Sequence, residues 1–173
     1  YELMHLETFR HHERRSVSAA PMYYNEDGSI QKVPYWLDNE LKQVEAFDPY
    51  RKVEAETMAW GYGLKTRETD RAIYINNIDD GEFLMLKGVD FKKGARRLKV
   101  SASNEKGSPA YIEVRIDSPD GPLCGRVKIE PTNGFKTFTC QLKGMSDVHK
   151  LYFVFKGESG SDLFEWDWWQ MSR

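Results

Sequence analysis

Eight residues near the end of the chain, Phe164-Glu165-Trp166-Asp167-Trp168-Trp169-Gln170-Met171, hold three of its five tryptophans. Rings this large need a packed surface to bury against, and their alternation with polar residues predicts a strand with one face in a core. Asp167 interrupts the run, and a carboxylate between large rings is costly unless it is paired or bound to a cation. Far upstream, Val53-Glu54-Ala55-Glu56 sets two more carboxylates on one side of an extended segment, about 7 Å apart. Three carboxylates from the first and last strands of one domain point to a hard-cation site that closes it. Calcium suits such a set better than zinc, because no His or Cys joins it. The competing reading is three solvated acids.

The chain has 173 residues, 40% hydrophobic and 13% aromatic, enough to bury one good core. A net charge of -2 offers nothing to a polyanion, and the basic pairs Arg14-Arg15 and Arg96-Arg97 are too short to form a patch. No nucleic acid partner is expected. No apolar run approaches the ~20 residues of a membrane span, so no membrane partner is expected either. The opening at Tyr1 carries no signal-peptide pattern and lies inside strand-like sequence, which reads as a cut within a larger protein. Cys124 and Cys140 flank the turn Pro131-Thr132-Asn133-Gly134 almost symmetrically, so a simple hairpin would set them opposite one another. Both a disulfide and two buried thiols fit that spacing.

In chain order, residues 1–34 read as a β-meander, with strand patterns over 1–7, 15–24 and 29–33 and a hairpin turn at Asn25-Glu26-Asp27-Gly28. They have too little apolar surface to stand alone. His5, His11 and His12 fall here, but the adjacent pair would point to opposite faces of a strand. Residues 35–51 read as a linker with a helical turn or two over 37–47, anchored by Tyr35 and Trp36. From Val53 onward every periodic segment is strand-like: 73–78, 82–89, 97–103, 111–117, 123–129, 136–142, 151–156 and 164–171. Turn signals separate them, and eight or nine short strands without a helix mean an all-β antiparallel sandwich. A cation shared by the first and last strands favours a jelly roll.

These residues carry a resemblance. Asp48-Pro49-Tyr50-Arg51-Lys52-Val53-Glu54-Ala55-Glu56-Thr57-Met58-Ala59-Trp60, then Asn77-Ile78-Asp79-Asp80-Gly81-Glu82-Phe83, then Ile112-Glu113-Val114-Arg115-Ile116-Asp117-Ser118-Pro119-Asp120-Gly121-Pro122-Leu123, and finally the closing tryptophan run resemble a family 6 carbohydrate-binding module. The variety is the one fused behind family 43 glycoside hydrolases, the arabinofuranosidases and xylosidases of hemicellulose breakdown. Arg14-Arg15-Ser16-Val17 and Met22-Tyr23-Tyr24-Asn25-Glu26-Asp27-Gly28 resemble the last strands of that hydrolase's five-bladed propeller. The resemblance implies residues 1–34 as a propeller remnant, 35–51 as a linker and 52–173 as a carbohydrate-binding jelly-roll β-sandwich. It also implies a secreted protein in an extracellular or cell-surface/periplasmic setting. The family's catalytic carboxylates belong to earlier blades, so no catalytic residue is expected here.

The resemblance also implies sites. A structural calcium would take Glu54, Glu56, Asp167 and a main-chain oxygen near Asp70 or Arg71. A sugar cleft would use aromatics at two loop positions, which fall here at Asn77, not a ring, and at Phe135. The asparagine of the last loop becomes Asp162, which accepts hydrogen bonds and donates none. Tyr74 is the substitute ring, although strand alternation would turn it to the other face. The loop over 65–72 looks shorter than in relatives. Trp60, Tyr62, Trp166 and Trp168 are candidates for a second, concave-face site, against plain core packing. Glu113, Arg115 and Asp117 form one polar strand face, read as solvated.

Two functions follow. One is a non-catalytic module that anchors a hemicellulase to xylan or arabinoxylan. The other is an interdomain module that stabilises the attached hydrolase propeller without sugar in the usual cleft.

Overall fold

The structure, a computed structural model, describes residues 20–33, 43, 45–70, 72–158 and 160–173. The chain divides into two compact units, Tyr1–Val44 and Glu45–Arg173. Within the first, the described stretch is a hairpin in which Tyr24 bridges Ile30, closed by the expected turn with Gly28 at φ +83°. Asp27 caps that turn by accepting from the Ser29 amide at 2.9 Å. The expectations at His5, His11, His12, Tyr35, Trp36 and Arg71 lie outside the described residues.

The second unit is built from eleven strands: β1 (Val53–Glu54), β2 (Trp60–Tyr62), β3 (Lys65–Glu68), β4 (Ile73–Asn76), β5 (Phe83–Asp90), β6 (Arg97–Ser103), β7 (Ala110–Ile116), β8 (Leu123–Ile129), β9 (Lys136–Gln141), β10 (Val148–Gly157) and β11 (Glu165–Ser172). One sheet runs β3-β4-β11-β6-β9 with β1 also on β11, and the other runs β2-β5-β10-β7-β8. Every ladder is antiparallel. The two sheets face each other as an all-β sandwich with jelly-roll strand order. β2 and β3 were not expected; Lys65-Thr66-Arg67-Glu68 has no apolar alternation, and its pairing with β4 comes from tertiary context.

The core lies between the sheets. Ile75, Leu98, Val100, Trp166 and Trp169 from one sheet meet Leu84, Ile112, Val114, Phe153 and Phe155 from the other, all with no exposed surface. The tryptophan strand departs from simple alternation: its register on β6 shifts between Trp166 and Trp168, a bulge centred on Asp167. The extra residue lets Trp166 and Trp169, three apart, both face inward and leaves Trp168 on the outer face. The same shift turns Asp167 toward β1.

Residues 45–51 belong to this unit. Phe47 bridges Val89 and stacks on Trp169 at 6.2 Å, and the Gln170 side chain donates to the Tyr50 carbonyl at 2.8 Å. The cysteines are both free thiols. Cys124 sits on β8 and Cys140 on β9, in opposite sheets, so the connection is not the simple hairpin that would set them across one ladder. Burial pushes the Cys140 thiol up to about 11 and raises Cys124 as well, which keeps both unreactive.

Candidate functional site

The closing contact of the sandwich is the β1–β11 pair. Val53 sits opposite Trp169 and Glu54 opposite Trp168, and the Ala55 amide donates to the Asp167 carbonyl at 2.8 Å. β1 ends at Glu54, and a turn follows in which the Thr57 amide donates to the Glu54 carbonyl. Glu56 therefore leaves the strand, against the expectation of one extended segment. Its Oε2 is buried and has no hydrogen-bond partner among the described residues. Glu54 pairs with Lys52 at 3.0 Å. Burial raises the Asp167 carboxyl above its ordinary range, the Lys52 ammonium pulls it back, and the Glu54 charge adds to the rise. Ser101 donates to Asp167 at 3.4 Å, a long contact. The segment thus holds Glu54 and Asp167 in mutual repulsion, with Glu56 two residues beyond Glu54. Among the described residues, no group of three or more His, Cys, Asp or Glu is arranged to hold a metal through side chains alone.

The four residues expected at a sugar cleft converge on one end of the sandwich. Tyr74 and Phe135 lie with ring centroids 4.9 Å apart and planes tilted by 51°. They reach toward each other from β4 and from just before β9, over the two strands between, β11 and β6, and on β6 the short Ser101 and Ser103 are buried. Alternation did not turn Tyr74 away from the site, because β4 ends at Asn76 and Asn77 takes a left-handed conformation at φ +52°. The loop carrying Asn77 is laced to the loop carrying Asp162: the Asp162 amide donates to Asp79 at 2.7 Å and the Leu163 amide to the Ile78 carbonyl at 2.7 Å.

Asp162 opens into a polar cleft of about 390 Å³, shared with Arg67, Glu105, Lys106 and Glu165. Lys106 grips Asp162 at 2.6 Å, and Arg67 donates to Glu165 at 2.7 Å. Arg67 is the register partner of Tyr74, so rings and charges form one continuous surface. Lys106 and Arg67 escaped the sequence reading. Lys106 sits in a turn and Arg67 in an unpatterned strand, and only the fold brings them to the cleft. Lys106 supplies the donor that an aspartate in place of an amide cannot. A pyranose held between two rings needs them about 7–8 Å apart, twice a van der Waals spacing. Tyr74 and Phe135 are closer than that, so they present one tilted aromatic surface, with Phe135 38% exposed.

The outer face of the other sheet differs from expectation. Glu113 is only 8% exposed, held by Arg115 at 2.9 Å and approached by the half-exposed Arg126 at 3.7 Å, so its carboxylate is buried in an ion pair while the rest of this face meets solvent. Asp117 lies beyond β7 at φ +67° and pairs with His149 at 2.9 Å. Trp166 has no exposed surface and cannot line a second site, whereas Trp60 and Tyr62 are open to solvent on β2.

Comparison with known proteins agrees with this architecture. The family model for carbohydrate binding module (family 6) matches residues 54–173. An arabinoxylan arabinofuranohydrolase of Bacillus subtilis is 35% identical over 169 residues, 92% of this chain and 32% of that protein. Among solved structures, a glycoside hydrolase family 43 arabinoxylan arabinofuranohydrolase from Bacillus subtilis, in complex with cellotetraose, superposes with a TM-score of 0.79 at 31% identity, over 89% of this chain and 33% of that one. A family 6 carbohydrate-binding module from Clostridium cellulolyticum in complex with xylose gives 0.69 at 26% identity, over 73% of this chain and all of that one. The chain thus spans about a third of the hydrolases it matches, and the match to the free-standing module is complete at that module's end. Over residues 54–173 the chain belongs to carbohydrate-binding module family 6, a non-catalytic β-sandwich that its relatives carry attached to family 43 hydrolases.

Proposed function

We propose that the chain targets an attached family 43 hydrolase to xylan or arabinoxylan outside the cell, through a cleft formed by Tyr74, Asn77, Phe135 and Asp162. The observation that carries this reading is the meeting of the Tyr74 and Phe135 rings beside the Asp162–Lys106 pair at 2.6 Å. An apolar ring surface takes the face of a pyranose while charged groups at its rim fix the hydroxyls. In this reading residues 1–34 are the last strands of the hydrolase propeller, 35–51 the linker and 52–173 the sugar module, and the parent protein acts on arabinoxylan or xylan.

Calorimetric titration with a xylo-oligosaccharide should give saturable heat with a Kd between about 1 μM and 1 mM, as a shallow site with one good ring surface would. Phe135→Ala should weaken binding at least ~10-fold, the loss of one stacking partner. An unchanged Kd in that variant would remove the cleft from the reading. The closed contact between Tyr74 and Phe135 favours a second reading, in which the module stabilises the hydrolase without sugar in this cleft. Absence of heat at about millimolar ligand, together with a higher Tm of the hydrolase portion when the module is attached, would put that reading first.

A structural calcium is proposed at the β1–β11 closure, held by Glu54, Glu56, Asp167 and a main-chain oxygen near Arg71. The Glu56 oxygen, unpartnered among the described residues, and the raised Asp167 carboxyl support it. A bound dication offsets the repulsion between Glu54 and Asp167 and ties the first strand to the last. Adding a chelator should lower the Tm by several degrees, and returning calcium, but not an equal concentration of sodium, should restore it. A melt that ignores both additions would leave three acids in solvent.

A further inference from the structure

A cleft of about 610 Å³ that neither Tyr74 nor Phe135 lines has a distinct chemistry. Its floor is the outer face of β6 and β11. Lys99 sits opposite Gln170 and Arg97 opposite Ser172. Arg97 and Lys99 are two residues apart on one strand, so their side chains leave the same face about 7 Å from one another. Both are exposed and neither has an ion-pair partner among the described residues. Arg173 joins them from the end of β11, its guanidinium over the Tyr50 ring at 5.0 Å. The two acids of the cleft are already engaged. Asp90 pairs with Lys92, and Asp48 accepts the Tyr50 amide at 2.9 Å. The lining thus carries four cations, Lys92, Arg97, Lys99 and Arg173, against two carboxylates, Asp48 and Asp90, an excess of positive charge on a concave surface in a chain of net charge -2.

We propose that this cleft binds the carboxylate of an acidic saccharide, a uronic acid borne on the polysaccharide that the module recognises. The inference rests on the saccharide-binding reading above and adds a second, charge-selective contact to it. Arg97 offers a planar fork that matches a carboxylate bidentately, Lys99 a second positive charge beside it. The Gln170 amide and the Ser172 hydroxyl on the facing strand suit the ring hydroxyls. The nearby aromatic faces are occupied, Phe47 by Trp169 and Tyr50 by Arg173, so affinity here comes from charge rather than from stacking. A concavity of several hundred Å³ suits one or two sugar units better than a flat protein surface.

The test titrates the chain with xylotetraose and with xylotetraose bearing one glucuronic acid substituent. The acidic sugar should bind about 10-fold more tightly, and the gap should shrink as ionic strength rises from about 0.05 M to about 0.3 M. Arg97→Gln with Lys99→Gln should abolish the gap and leave neutral xylotetraose unchanged. Lys99→Glu should reverse it. These side chains are exposed, so the variants should melt within a few degrees of the parent. Phe135→Ala should weaken both sugars and preserve their ratio. Equal affinity for the two sugars, or a gap that survives Arg97→Gln with Lys99→Gln, overturns the inference. Failure of the Tyr74–Phe135 cleft would show separately, as neutral binding indifferent to Phe135→Ala.

Discussion

Trp166→Ala should cost about 3–5 kcal/mol, a large share of the stability of a domain of this size. Trp166 is completely buried and projects from the six-stranded sheet into the other. Its ring meets Phe153 edge-on at 5.0 Å and Phe155 at 5.7 Å, both on β10. Alanine removes the contact that joins the sheets and leaves a cavity too deep for the backbone to close. Trp168 is the internal comparison. Two residues on, it lies on the outer face with the Lys52 ammonium 5.5 Å from its ring, and Trp168→Ala should cost under about 1 kcal/mol. Urea melts followed by circular dichroism read both. Equal losses at the two positions would mean that the bulge at Asp167 does not sort the tryptophans as described.

Gly121→Ala should destabilise by about 1–3 kcal/mol, an unusual effect for adding one methyl to a surface turn. A Cβ there would lie 2.1 Å from the Ile116 carbonyl oxygen and 3.0 Å from that of Ser118. Both obstacles are backbone, so the turn itself must move. The Gly121 carbonyl also accepts from Arg115 at 2.6 Å, and Arg115 in turn neutralises the buried Glu113. Displacing the turn therefore weakens the charge pair on which that burial depends, since a buried carboxylate left without its partner is penalised strongly. A variant as stable as the parent to within about 0.5 kcal/mol would show that the turn yields freely and that Glu113 does not rely on it.

Much of the fold was legible because it rests on local regularities. Alternation of Leu84 and Leu86, or Ile112 and Val114, marks inward faces, and Asp-Gly or Asn-Gly pairs mark the turns. The tryptophan strand and Glu54-Ala55-Glu56 were read as the two ends of one domain, and they are hydrogen-bonded neighbours. The candidate cleft was legible only in part. Tyr74, Asn77, Phe135 and Asp162 converge on one end, yet Tyr74 was assigned the wrong face, because alternation was extended past the end of β4. Glu113, on the polar face, was read as solvated because nothing in residues 111–117 reveals that Arg126, on the next strand, approaches it.

The sequence by itself determined the class of structure, an all-β sandwich closed by its first and last strands, and the family to which it belongs. The class follows from which residues are apolar and how far apart they stand, the family from the particular motifs at 48–60, 77–83, 112–123 and 164–170. Tertiary structure alone decided what each surface can do. It closed Tyr74 onto Phe135, set Lys106 on Asp162, joined Arg67 to Glu165 across 98 residues and left Arg97 and Lys99, among the described residues, without an ion-pair partner in a cleft. The physical reason is range. Strand formation is governed by neighbours two residues apart, whereas binding surfaces are made by side chains that meet only after the strands have been ordered into sheets.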